Sequence, residues 1–362
     1  GGDGVFDSSD RIVFFGTGLS WWEPDGQDGS GHYTSRFDSL NSHWLTWGGQ
    51  GGIRMDTLDG GLTGAPAMPD SFQARIHLEE EYFWLPRLPD SWWAWFKVYG
   101  STPGWLDAAF DGTGAVGPAT VRVGLVAETK TKVFYGETGV EVYLNGELVA
   151  DTLIDVGSSR VLEVPVSNVA SGPNAVSVKI WRETGNDDAY LDWLEVLPWS
   201  RIHGGGQQEV PLSWYREEGR RRFDSQGSLQ DAYVLYVERD STASLVSPGS
   251  STAFELDVGE LGTTRSVWIS PETDLMSPAS VQPCSPGRIM GTLDGAERVF
   301  ICHPEFAEGV LALDSPTPST AFVTTEEIYD EFNGGVRDPQ AIRAFLEWTM
   351  QQWDPRPMEV VL

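Results

Sequence analysis

Between Arg298 and Leu362 the apolar pattern switches repeatedly between strand and helix periods, which only a layered sheet with covering helices accommodates. Arg298-Val-Phe-Ile-Cys302 reads as a buried strand, and Pro304 to Leu313 as a short helix with Phe306, Val310 and Leu313 on one face. Thr320–Val323 is a second strand. Thr324 and Glu327 have capping-box spacing for a helix through Phe332, which Gly334-Gly335 terminates. Asp338 caps another helix with Pro339 at its first position, and Ile342, Phe345, Leu346 and Thr349 recur at the spacing of a core-facing stripe. Met358–Leu362 is a third strand. Strands alternating with helices imply a parallel sheet with right-handed crossovers. In such sheets chemistry sits beyond the carboxyl ends of the strands, so the segment is expected to frame an active site that it does not contain.

The residues before this segment follow a different rule. Val121, Val123 and Leu125 alternate with Arg122 and Gly124, and Val140, Val142 and Leu144 alternate likewise before Asn145-Gly146, a strong hairpin signal. Val161–Val166, Ala175–Trp181 and Tyr190–Val196 complete at least five strands at short spacing, which implies an antiparallel β-sandwich of jelly-roll type. Further strands are expected at Val210–Trp214, Ala232–Val237, Ala253–Val258 and Ser266–Ile269, followed by a linker at Gln282–Gly287. Earlier in the chain, a strand is expected at Arg11–Phe15, a second apolar stretch lies at Trp44–Trp47, and the alternation of Ala74, Ile76 and Leu78 indicates another strand before an irregular stretch at Leu85–Pro89. The expected organisation is multidomain and mostly β. A β-rich accessory domain covers 1–117, a jelly-roll β-sandwich 118–198, a β-rich domain with linker 199–297, and the first half of an α/β domain with a parallel sheet 298–362.

Charge narrows the partners. With 53 acidic against 24 basic residues the formal net charge is −29, and only Lys97, Lys130, Lys132 and Lys179 are lysines. Such a surface repels phosphate backbones and anionic lipid, which argues against nucleic-acid binding. Acidity with scarce lysine fits adaptation to high salt, the reading slightly favoured over a GC-rich genome, which would also replace Lys by Arg. No run of eighteen apolar residues is present, so no membrane span is expected. Cys284 and Cys302 could pair or remain free.

Several residue groups invite a chemical reading. Cys302-His303 places a thiol beside an imidazole, but neighbouring strand residues point to opposite faces, so a packed Cys and a helix-entry His are expected. His203-Gly-Gly-Gly206 matches an esterase oxyanion-hole segment, yet no G-x-S-x-G elbow occurs, and a turn is expected. Asp25 and Asp28, in Asp25-Gly-Gln-Asp28-Gly-Ser-Gly31, are the candidate calcium ligands, because Gly permits a tight loop and carboxylates supply hard oxygens; the later bidentate Glu of an EF-hand is lacking, and a solvated turn is the expected reading. Asn186, Asp187, Asp188 and Asp192 form an acidic cluster that turn chemistry explains. Trp21, Trp22, Trp92, Trp93 and Trp95 could form a sugar- or peptide-stacking platform or cover the seams of β-domains.

With these residues laid out, the chain resembles the gingipain-type cysteine peptidases, in particular PorU-like sortases of the type IX secretion system. Gly4-Val-Phe-Asp7 with Asp10–Gly16, Asn41–Trp47 and Tyr190–Val196 carry the likeness in the β-rich part. Val299–Phe306, and above all Phe322–Phe332 with Asp338–Leu346, carry it near the end. The resemblance implies a caspase-like α/β domain whose catalytic His and Cys lie downstream of the strand matching Met358–Leu362, so no position here inherits a catalytic role. The chain departs from the family between Gly309 and Thr320, where a longer helix is usual, and is therefore read as a partial record of a longer protein. The implied function is that of a secreted or bacterial cell-surface cysteine peptidase, associated with the outer membrane. It would cleave the carboxyl-terminal signal of secreted protein substrates and exchange it for a surface anchor, alongside outer-membrane secretion components. The alternative is a non-catalytic surface protein with glycan- or protein-binding β-sandwich modules.

Overall fold

The computed structural model describes residues 11–22, 32–46, 54–85, 92–99, 102–128, 137–155, 159–167, 169–182, 188–212, 215, 218–238, 242–259, 265–283, 287–312 and 319–362. The chain divides into two compact units. One comprises Trp22–His32 and Arg54–Met276, the other Gly1–Trp21, Tyr33–Ile53 and Ser277–Leu362. Ser20–Trp22 (β1) and His32–Thr34 (β2) pair as a two-stranded ribbon, of which Trp22 and His32 count with the first unit.

The larger unit begins with short strands: Thr57–Gly60 (β3), Phe72–Gln73 (β4), Ile76–Glu79 (β5), Phe83–Leu85 (β6), Trp92–Ala94 (β7) and Phe96–Tyr99 (β8). Longer ones follow: Gly104–Asp111 (β9), Ala115–Glu128 (β10), Glu137–Leu144 (β11), Glu147–Asp155 (β12), Ser159–Val166 (β13), Pro173–Arg182 (β14) and Asp188–Ser200 (β15). They form two antiparallel sheets. In one, β10 lies between β13 and β15, and β4, β5 and β8 all pair with β15; the other runs β12-β11-β14-β9. Strict alternation decides which side chains face inward: Val176, Val178 and Ile180 of β14 are buried, as are Val121 and Val123 of β10 and Val140 and Val142 of β11. Each such side chain contributes roughly 1.5–3 kcal/mol of burial. The β11–β12 turn is Asn145-Gly146, with φ of 52° and 83°, the doubly positive pair that a two-residue hairpin of matching twist requires.

The same unit continues with Gln208–Pro211 (β16), Arg220–Asp224 (β17), Ala232–Glu238 (β18), Thr242–Pro248 (β19), Ala253–Asp257 (β20) and Arg265–Pro271 (β21). These make a sheet of order β16-β21-β18-β19-β3, in which β3 runs parallel to β19, and a separate β17–β20 pair. Phe223 and Phe254 stack 4.9 Å apart in the core they share. Beside them Glu255 has a buried carboxylate held by Thr63 Oγ1 at 2.6 Å, the Gly64 and Ala65 amides at 3.0 and 2.9 Å, and Arg220 Nε at 3.0 Å. The Thr63 hydroxyl, with the amides and Arg220, holds Glu255 down to about 2 against the opposing effect of burial.

In the smaller unit, Arg288–Thr292 (α1) precedes Arg298–Cys302 (β22), Ala307–Leu311 (α2), Thr320–Thr324 (β23), Thr325–Phe332 (α3), Pro339–Gln352 (α4) and Glu359–Val361 (β24). The three strands are parallel in the order β23-β22-β24. The capping box at Thr324 and Glu327 is formed, and the Asp338 side chain accepts from the Gln340 amide at the start of α4. Phe345 and Thr349 are buried, with Ile342 and Leu346 packed beside them. The strand expected at Arg11–Phe15 is absent, and the described part of the Trp44–Trp47 stretch forms none. Residues 11–18 and 41–46 have no regular structure, and Ile12, Phe14, Trp44 and Leu45 are exposed. Apolar clustering marked segments that pack through single contacts, such as Phe14 against His43 at 5.3 Å, but it could not supply a ladder partner.

Candidate functional site

Two places combine ionisable side chains with a defined geometry. The first is the carboxyl end of the parallel sheet. Alternation along β22 buries Val299 and Ile301 on one face and turns Phe300 and Cys302 to the other, where Phe300 stacks on Phe322 of β23 at 5.2 Å. Cys302 stands opposite Thr324. Burial raises the Cys302 thiol above its usual range, and the Glu327 and Glu326 carboxylates add to the effect, so the nucleophilic thiolate is disfavoured. His303 opens the turn Pro304–Phe306; its Nδ1 accepts from the Glu305 amide at 3.3 Å and its Nε2 lies 3.4 Å from Glu326. Both ring nitrogens are thus engaged away from Cys302. Arg288 is bonded to Glu327 through both Nε and Nη2, and these bonds, with those from Thr324, carry Glu327 below its usual range despite burial.

The second place is the outer face of the sandwich sheet that contains β15. Ile76 and Leu78 pack toward the core, so alternation sends His77 and Glu79 outward. Register then sets them in a row: Glu163 of β13 faces Arg122 of β10, Arg122 faces Glu195 of β15, and Glu195 faces His77 of β5. Arg122 binds Glu163 at 3.2 Å and also bonds Glu195; His77 Nδ1 lies 3.4 Å from Glu195, and His77 Nε2 3.0 Å from Glu79. Glu195 is wholly buried. Desolvation alone would lower His77, but hydrogen bonds to Glu195 and Glu79 carry it up to about 9. His32 stacks on His77 with centroids 3.9 Å apart and planes 19° apart. Burial first, then charge on His77 and Arg75, holds His32 at about 3, so its ring is neutral.

Comparison with known proteins bears on the first place. Residues 293–362 match the model of Peptidase family C25. A search of curated proteins finds no match. Among solved structures, dimeric latent PorU from Porphyromonas gingivalis is similar over 81% of this chain, with TM-score 0.62 and 17% identity, which shows a shared fold. The chain spans 29% of that protein's length. A carbohydrate-binding module, CBM36 in complex with calcium and xylotriose, overlays 34% of this chain and 98% of its own at TM-score 0.26 and 14% identity.

Within the C25 segment, Cys302 and His303 are a packed thiol and a turn-entry imidazole, as side-chain alternation requires. Elsewhere the candidates separate. Asp25 and Asp28 lie outside the described residues, as do Asn186, Asp187 and Cys284. Asp188 is buried and paired with Lys97 at 2.9 Å. His203 is a half-buried turn residue packed at Gly114, its backbone amide donating to Gln208 Oε1. Trp21 stacks on Tyr33 at 4.2 Å, Trp22 lies under Arg75 at 4.6 Å, Trp95 packs on the sandwich core, and the Trp92 side chain lies outside the described residues. The His77 row had no signature of its own, since its members lie on strands up to 118 residues apart; only the alternation around Ile76 and Leu78 placed His77 on an outer face. No helix among the described residues is long and apolar enough to cross a membrane, which says nothing of a β-barrel.

Proposed function

We propose that this chain is the amino-terminal part of a secreted, surface-associated cysteine peptidase of the PorU-like kind, with β-sandwich modules leading into the first half of a caspase-like catalytic domain. The carrying observation is the agreement of the C25 match at 293–362 with a parallel β23-β22-β24 sheet and two capped helices in the same residues. In the whole protein a Cys thiolate attacks a peptide carbonyl, a His takes up the thiol proton, and N–H donors hold the oxyanion. Cys302 and His303 take neither role, since the thiol is held protonated and the imidazole is bonded to Glu305 and Glu326. The substrates are secreted proteins whose carboxyl-terminal signal is removed, and the partners are outer-membrane secretion components. Deleting the gene in the producing bacterium should leave those proteins carrying the signal and unanchored, as read by mass spectrometry of their carboxyl termini. Unchanged trimming would sink the sortase reading.

A second reading, glycan binding by the sandwich, is favoured by one surface. Trp105 is half exposed on β9, with Tyr143 at 5.4 Å and the Lys179 ammonium 5.6 Å from its ring, and Lys179 is paired to Glu141 at 2.7 Å. An aromatic face beside donors and acceptors suits a pyranose ring. Trp105→Ala should abolish glycan-array binding if this reading holds; an array blank for the unaltered protein removes it.

A further inference from the structure

The outer face of the sandwich carries a cluster that neither the C25 segment nor the peptidase reading uses, and the inference below is independent of both. One ring nitrogen each from His32 and His77 and one carboxylate oxygen of Glu79 lie within 4.8 Å of one another. We propose that these three side chains bind a zinc-class divalent cation, with solvent in the fourth position.

The donor set is that of a borderline ion: two imidazole nitrogens and one carboxylate oxygen are the usual three protein ligands of an open zinc site. The spacing fits. Ligand atoms 2.0–2.1 Å from an ion at the tetrahedral angle stand about 3.3 Å apart, and His77 Nε2 and Glu79 Oε2 stand 3.0 Å apart. The supporting shell is also present. A ligating imidazole keeps its orientation by donating its other N–H to a carboxylate. Here His77 Nδ1 faces the buried Glu195 at 3.4 Å, and Glu195 is fixed from its far side by Arg122. His77 and Glu79 share one face of a short strand, a rigid base for two of the ligands.

The nearby positive charge is already engaged. Arg75 lies over the Trp22 ring at 4.6 Å and 3.6 Å from Glu209. The stacked rings need one adjustment. Parallel imidazoles 3.9 Å apart cannot both aim an in-plane lone pair at one ion, so His32 turns about its Cβ–Cγ bond and leaves the stack on binding. In the stacked arrangement His77 Nε2 and Glu79 share a proton across their 3.0 Å contact. When the cation binds, that proton leaves to solvent and the ion replaces it between the same two atoms. The result ties residue 32 to β5 and leaves one coordination position open.

Equilibrium dialysis of the intact protein against Zn²⁺, followed by Co²⁺ absorption spectroscopy, tests this. One equivalent should bind, with Co²⁺ giving the intense visible bands of a four-coordinate site. His32→Ala and Glu79→Gln should each weaken binding at least tenfold with an unchanged circular dichroism spectrum, while His43→Ala should not. His77→Ala should do the same as His32→Ala, but it also removes a member of the buried row, so the other two variants decide. The inference is overturned if the unaltered protein retains no Zn²⁺, or if His32→Ala and Glu79→Gln bind it as tightly as the unaltered protein.

Discussion

Glu195 shows what a single buried charge demands of its neighbours. It has no solvent contact, and its two oxygens are shared between Arg122 and His77. Removing Arg122 leaves one carboxylate oxygen buried without a partner and only His77 to balance the charge. Arg122→Leu should therefore lower stability by about 3 kcal/mol in urea denaturation followed by Trp fluorescence. The pair between Lys179 and Glu141 is a control: neither of its side chains is fully buried, and Lys179→Leu should cost less than Arg122→Leu. Gly124 makes a second demand. The Trp193 indole lies directly on it, so that any Cβ at this position overlaps a fully buried ring. Gly124→Ala should destabilise by roughly 1–3 kcal/mol through overpacking, measured by the same denaturation. Equal stability of Gly124→Ala and the unaltered chain would mean the ring is not seated there.

At the scale of elements, the loop Thr63–Ala65 is bound to β20 through Glu255, and this binding titrates. The folded value is depressed to about 2 from an ordinary value near 4.5. A depressed carboxylate contributes stability above its unfolded value and loses it as pH falls through the folded value. The contribution should therefore be complete above about pH 5 and decline from there toward pH 2, and Glu255→Gln should flatten that part of the stability–pH curve. Helix α3 depends in the same local way on its capping box, and Thr324→Ala should speed amide exchange in Thr325–Phe332, with a loss of about 1 kcal/mol. The elements legible in the sequence were those specified locally: the Asn145-Gly146 turn, the Thr324 and Asp338 caps, and the alternation in β10, β11 and β14. Strands β17 and β19 escaped notice. Arg220-Arg-Arg-Phe-Asp224 is nearly all polar, and its strand state comes from pairing with β20 rather than from its own pattern. Arg11–Phe15 shows the converse, an apolar run without a ladder. The His77 row was beyond reach for the same reason, because register between β5, β15, β10 and β13 exists only once the sheet has formed.

For the molecule as a whole, a formal charge of −29 places a standing repulsion on the folded state. Raising salt shortens the screening length from about 10 Å at 0.1 M to about 3 Å at 1 M. The melting temperature should therefore rise over that range in sodium chloride; a fall would show that paired charges such as the Glu163–Arg122–Glu195 row outweigh the net repulsion. The proposed peptidase reading requires that Cys302 is not the cutting thiol. It is tested most directly by treating the intact protein from its producing organism with a thiol-reactive peptide probe and mapping the modified residue by mass spectrometry. On the proposed peptidase reading, the expected result is a single labelled cysteine that is neither Cys284 nor Cys302. Labelling of Cys302 or Cys284, or no labelling by the peptide probe at all, would contradict it.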